Sequence, residues 1–181
     1  AAAGGRDRVE TELGYLLGAN VEDLTLLGLG HVNGNGNALD NRIVGNAGNN
    51  IINGRTGADY MAGAAGADTY IADNVGDKVV EASLGGGIDA VRSSVTFTLG
   101  LYLENLTLTG TAVANGTGNS LANVIIGNGV NNSLEGLAGN DRLEGAAGDD
   151  RVSGGAGSDF LKGGAGVDKF LFGSTVLGAG N

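Results

Sequence analysis

A chain of 181 residues with 37 glycines, no proline and no cysteine lies outside several familiar classes. Glycine without proline does not make collagen, regularly placed Val, Ile and Leu do not make a flexible linker, and a chain without cysteine has neither disulfides nor thiolate metal sites. Twenty acidic residues against ten basic ones leave a formal charge of −10, the wrong sign for a nucleic-acid partner and the right one for cations. No apolar run reaches the ~18 residues that a membrane helix needs. No signal peptide is visible, and the start at AAAGG reads as a fragment of a longer chain.

In chain order the sequence is two copies of one module, 1–82 and 83–181. GGRDRVETELGYLLG from Gly4 lies over GGIDAVRSSVTFTLG from Gly86, and VEDLTLLG from Val21 over LENLTLTG from Leu103. NGNGNALDNRIVGN from Asn33 lies over NGTGNSLANVIIGN from Asn115. Each module opens with lead-in segments, 4–35 and 83–117, whose β-formers and alternation predict strands. No helical period is sustained anywhere.

Arrays of nonapeptides follow at 36–71 and 118–171. The last four read GLAGNDRLE, GAAGDDRVS, GGAGSDFLK and GGAGVDKFL, with Gly at the fourth place, Asp at the sixth and an apolar residue at the eighth. A short strand needs one inward side chain, which the eighth place supplies, and the glycines turn the chain. Two such halves make one coil, so the predicted fold is all-β: a parallel β-roll, a right-handed solenoid with two nonapeptides per coil. Leu143 then stacks on Leu161 and Val152 on Phe170, while Tyr70 and Phe170 are expected to cap the two arrays.

Stacked coils about 4.8 Å apart bring Asp141 beneath Asp159 and Asp150 beneath Asp168. Carboxylates that close repel by roughly 1–4 kcal/mol, which a cation between them reverses. Carboxylate and backbone carbonyl oxygens suit a hard ion such as Ca²⁺, whereas zinc lacks its ligands in a chain with no Cys and one His.

GGAGSDFLK and GGAGVDKFL resemble the G-G-x-G-x-D-x-U-x nonapeptide of RTX proteins, a calcium-binding parallel β-roll family. The resemblance covers 136–171 closely and 36–71 more loosely. It implies that one turn gives the carbonyls of its second and fourth places plus its Asp. The turn one coil further on gives the carbonyls of its first and third places plus its own Asp. One site would then use Leu137, Gly139 and Asp141 with Gly154, Ala156 and Asp159. A second would use Ala146, Gly148 and Asp150 with Gly163, Ala165 and Asp168.

Earlier turns depart from the pattern. Asn holds the sixth place at Asn41, Asn50, Asn123 and Asn132, and Leu39, Leu121 and Val130 replace the fourth-place Gly. Against these stand Gly54, Thr56 and Asp59, then Gly63, Ala65 and Asp68, Gly136 and Ala138 with Asp141, and Gly145 and Ala147 with Asp150. Sites with an amide are expected to be weaker or vacant, and Asn stacked on Asn could hold a coil as an amide ladder. Asp77, one coil beyond Asp59, could close one more site. The two modules are expected as two rolls joined through the segment 75–103.

Catalysis is not expected. His31 is alone in a surface loop, and Glu10, Glu12, Glu22, Glu81 and Glu104 show no paired spacing. No nucleophile elbow, H-E-x-x-H or phosphate loop is present. The resemblance implies a secreted protein, exported unfolded by type I secretion and folded by several Ca²⁺ ions outside, acting as scaffold, spacer or adhesin segment with a cell-surface or polysaccharide partner. The alternative is a polysaccharide-binding accessory module like the R-modules of alginate epimerases. Scattered arginines and few aromatics speak against it.

Overall fold

The structure, a computed structural model, describes residues 5–82 and 87–172. Its elements are short strands separated by turns, with no helix among the described residues. The first module supplies β1 (Arg8–Thr11), β2 (Tyr15–Leu16), β3 (Asp23–Leu26), β4 (Gly34–Asn35) and β5 (Arg42–Val44). It continues with β6 (Ile51–Asn53), β7 (Tyr60–Ala62), β8 (Thr69–Ala72) and β9 (Lys78–Val80). The second module supplies β10 (Ala90–Ser93), β11 (Phe97–Thr98), β12 (Asn105–Leu108), β13 (Gly116–Thr117) and β14 (Val124–Ile126). It ends with β15 (Ser133–Glu135), β16 (Arg142–Ala147), β17 (Arg151–Ser153), β18 (Phe160–Ala165) and β19 (Lys169–Leu171).

Every strand pairs in parallel with the strand one coil away. The even strands form one nine-stranded sheet from β2 to β18, and the odd strands form two five-stranded sheets, β1 to β9 and β11 to β19. This is the expected β-roll. Within the arrays the register advances by two nonapeptides: Ile43 pairs with Met61, Ile52 with Tyr70, Leu143 with Leu161 and Val152 with Phe170.

The eighth place is the middle of each three-residue strand and points between the sheets. Ile43, Ile52, Met61, Tyr70, Ile125, Leu134, Leu143 and Val152 are all essentially inaccessible. A closed coil thus needs only one large side chain per half-turn, and apolar burial drives the stacking. Leu161 is half-buried, and Phe170, on the last described strand, is 39 % exposed. The lead-in strands add Leu24 over Ile43 and Leu106 over Ile125 to the same core.

The expected division into two rolls gives way to a single stack. β10 pairs on one side with β8, Val91 against Tyr70, and on the other with β12, Val91 against Leu106. Tyr70 therefore caps nothing; it lies inside a continuous core. Only the odd face is interrupted, where β9 and β11 do not pair and a groove opens between Lys78, Val80, Phe97 and Gly100.

Candidate metal centre

The turns at the coil edges carry the polar chemistry. The backbone N–H of a sixth-place residue donates to the sixth-place carboxylate of the next coil. Asn123 donates to Asp141 (2.8 Å), Asp141 to Asp159 (3.0 Å), Asn132 to Asp150 (2.8 Å) and Asp150 to Asp168 (3.1 Å). Asn41 donates to Asp59 and Asn50 to Asp68, both at 2.7 Å. One carboxylate oxygen is thereby fixed, and the side chain is held inside the turn.

The second oxygen is the informative one. Oδ2 of Asp59, Asp68, Asp141 and Asp150 is buried without any hydrogen-bond partner. An orphaned buried carboxylate oxygen is costly, and nearly every such group in a folded protein is satisfied. Burial is the leading cause that pushes Asp59 and Asp68 up to about 6 and raises Asp141 and Asp150 above the usual carboxylate range. The neighbouring Asp159 and Asp168 charges push Asp141 and Asp150 in the same direction.

Backbone carbonyls converge on the same places. A Cβ added to Gly136 would run into both Asp141 Oδ2 and the Gly154 carbonyl, and one added to Gly145 into Asp150 Oδ2 and the Gly163 carbonyl. Glycine at the first place therefore keeps open a space edged by carboxylate and carbonyl oxygen. Leu137 and Ala156 carbonyls take part in the ladder between coils, accepting from the Ala156 and Gly139 N–H groups at 2.8 and 3.0 Å. The Ala165 carbonyl likewise accepts from the Gly148 N–H, and Ala146 and Ala147 pair with Gly164 and Ala165. Each of these carbonyls keeps a second lone pair for a ligand. The all-oxygen donor set fits calcium.

The amide turns are built differently. Oδ1 of Asn41, Asn50, Asn123 and Asn132 accepts the N–H of the second-place Asn37, Asn46, Asn119 and Asn128, at 2.7–2.9 Å. Their Nδ2 groups donate to carbonyls of the previous coil, Asn50 to Val32 (2.7 Å) and Asn132 to Ala114 (2.6 Å). Within the turn Asn50 and Asn132 also donate to the second-place amides of Asn46 and Asn128, both at 3.0 Å. The amides thus bond to backbone and to their own turn's amide, not as the expected ladder from coil to coil. In the Asp turns the second-place residue has positive φ, at Arg55, Ala64, Leu137 and Ala146. The sixth-place Oδ2 there gains no N–H partner.

Asp77 continues the column, because its Oδ1 accepts the Asp59 N–H at 2.9 Å. Its Oδ2 is already bound by the N–H groups of Asp73 and Asn74, so Asp77 lacks the free oxygen of the array aspartates. Thr56 and Ala65 lie in the turns that lead to Asp59 and Asp68, beside Gly54 and Gly63. His31 is exposed, and its Nδ1 accepts the Asn49 N–H at 2.7 Å. Sequence reasoning passed over Glu81 and Asp89. Asp89 Oδ1 accepts the Asp68 N–H (2.7 Å), and the Asp89 N–H donates to Glu104 (2.8 Å), so the acidic column crosses between modules. The signal was obscured because two nonapeptides counted from Asp68 end on Gly86, and the carboxylate comes later, at Asp89.

Comparison with curated proteins yields no match. A family model, the RTX calcium-binding nonapeptide repeat in four copies, matches residues 35–70, 117–152 and 144–174. These segments hold the second array, all but the last residue of the first, and all four of the orphaned aspartate oxygens. The chain belongs to the family of RTX calcium-binding nonapeptide-repeat proteins and is a calcium-binding structural repeat module.

Proposed function

We propose that this chain is a folding module of a secreted protein, disordered at the low calcium of a cytoplasm and ordered into its roll by the calcium met outside. The observation that carries this reading is the set of buried, unpartnered carboxylate oxygens at Asp59, Asp68, Asp141 and Asp150. Without ions these groups oppose a fold that must already order a glycine-rich chain. Binding energy for the ions becomes folding energy.

One ion is assigned to Leu137, Gly139, Asp141, Gly154, Ala156 and Asp159, and another to Ala146, Gly148, Asp150, Gly163, Ala165 and Asp168. The turn at Asp59 takes an ion through its own free Oδ2, without a free carboxylate oxygen from Asp77. Nine stacked even strands at about 4.8 Å spacing give a rod roughly 40 Å long. Such a rod suits a scaffold, spacer or adhesin segment, and nothing in its described residues sets up catalysis.

Far-UV circular dichroism during a calcium titration tests this reading, with magnesium as control. Conversion from coil to β at about 0.1–1 mM calcium, the range of extracellular modules, and none with magnesium is the expected result. A spectrum already β-rich in chelator and indifferent to calcium would remove the folding role.

A further inference from the structure

We propose that the junction between the two modules holds a hard divalent cation at a separate site, made by Asp68, Glu81 and Asp89 with the Tyr70 hydroxyl beside them. Carboxylate oxygens of the three acids all lie within 4.8 Å of one another. All three residues are at least nine-tenths buried: Asp68 and Asp89 are 1 % exposed and Glu81 is 5 % exposed. Asp68 Oδ2 and Glu81 Oε2 have no hydrogen-bond partner. The salt bridges among the described residues involve Asp23, Glu10 and Glu144, so no basic side chain neutralises the cluster.

This arrangement differs from an array site in its donors. Glu81 stands one coil beyond Gly63, at a place where the arrays have glycine and offer backbone alone. Here a third carboxylate enters instead. Gly63 makes room for it, since a Cβ there would strike Asp68 Oδ2 and the Tyr70 hydroxyl.

Every acid is also anchored by one oxygen. Tyr70 donates its hydroxyl to Glu81 Oε1, Asn50 N–H binds Asp68 Oδ1, and Asp68 N–H binds Asp89 Oδ1. The remaining oxygens form a rigid, buried, all-oxygen pocket with no nitrogen or sulfur side-chain donor among its three acids, which selects a hard cation. Three charges held in so little space need such an ion more than the paired aspartates of the arrays do. A cation here would also tie the first module to the second at the coil where the odd face is unpaired.

The test counts calcium per chain by equilibrium dialysis at pH 7.5, on the whole chain. The native protein is compared with Glu81→Gln and with a double variant, Asp150→Asn with Asp159→Asn. Glu81→Gln keeps the size of the side chain and an oxygen for Tyr70. It should lose one ion, or weaken one site by tenfold or more, and keep the array ions. If Glu81→Gln binds as the native chain does while the double variant loses ions, the array reading stands and the junction site falls. If Glu81→Gln loses an ion and the double variant loses none, the junction site stands and the array assignment falls.

Terbium supplies a readout that needs no acidic substitution. Tyrosine-sensitised terbium emission should fall by more than half in Tyr70→Phe and persist in Tyr60→Phe. Undiminished emission from Tyr70→Phe overturns the site.

Discussion

Asn132 and Asp150 occupy the same place in successive coils and solve the same problem by different means. The amide carries its own donor, and it satisfies the Ala114 carbonyl and its own turn without help. The carboxylate has no donor, so its second oxygen is orphaned until a cation or a proton arrives. Asp141→Asn should therefore stabilise the ion-free chain by roughly 1–3 kcal/mol, the cost of one unsatisfied buried group, while reducing the gain on adding calcium. Asn132→Ala should destabilise the chain by a similar amount for each stranded partner, and calcium should not restore it. Thermal melts in chelator and in calcium check both.

The same oxygens set a pH dependence. Asp59 and Asp68 rise from the ordinary 3.8 to about 6, and Glu81 from 4.5 to about 7, burial being the main cause in each. Acids raised in the folded state hold their protons more tightly there than in the unfolded chain. Their contribution to stability is complete below about pH 4 and is lost as pH climbs through 6 to 7. In chelator the chain should melt higher at pH 4.5 than at pH 7.5. In calcium the order should reverse, because ions bind only the deprotonated acids.

At the scale of the coil, the unit is a pair of nonapeptides. Deleting 136–153, one whole coil, should leave a foldable roll with the same inward face and fewer ions. Deleting only 136–144 joins an odd strand to the wrong sheet and should abolish cooperative unfolding in denaturant. Leu143 is fully buried between Ile125 and Leu161, and Leu143→Ala should cost about 2–5 kcal/mol, the range for large core deletions.

This scale was also the most legible in the sequence. The eighth-place residues announced the core because a ninefold period has one inward position per strand. The sixth-place aspartates, recurring with it, pointed to the turns where buried carboxylate oxygens stand unpartnered. The junction was not legible. Its coils advance by unequal steps, from Thr69 to Ala90 to Asn105 to Val124, and no fixed period finds them. Glu81 escaped for a related reason: its role depends on Tyr70 and Gly63, which only the stacking brings to it. The amide turns were half legible, since Asn at the sixth place was seen but its bond to the second-place N–H was not.

Across the whole molecule, one sheet of nine strands runs through both modules, so the sequence repeat is not a repeat of folding units. Amide turns open each array and carboxylate turns follow, which alternates coils whose sixth-place side chains are satisfied by the chain itself with coils that leave carboxylate oxygens unpartnered. A formal charge of −10 suits a roll that binds calcium, since like-charge repulsion favours the open chain and divalent ions oppose it.

Calcium, on this account, acts at the carboxylate turns and not at the amide turns. Hydrogen exchange followed by mass spectrometry, with calcium and with chelator, reads the difference turn by turn. Calcium should raise protection most at 54–68 and 136–168, with smaller gains at 36–50 and 118–132. Equal gains in all turns, or the largest gains at the asparagine turns, would contradict it.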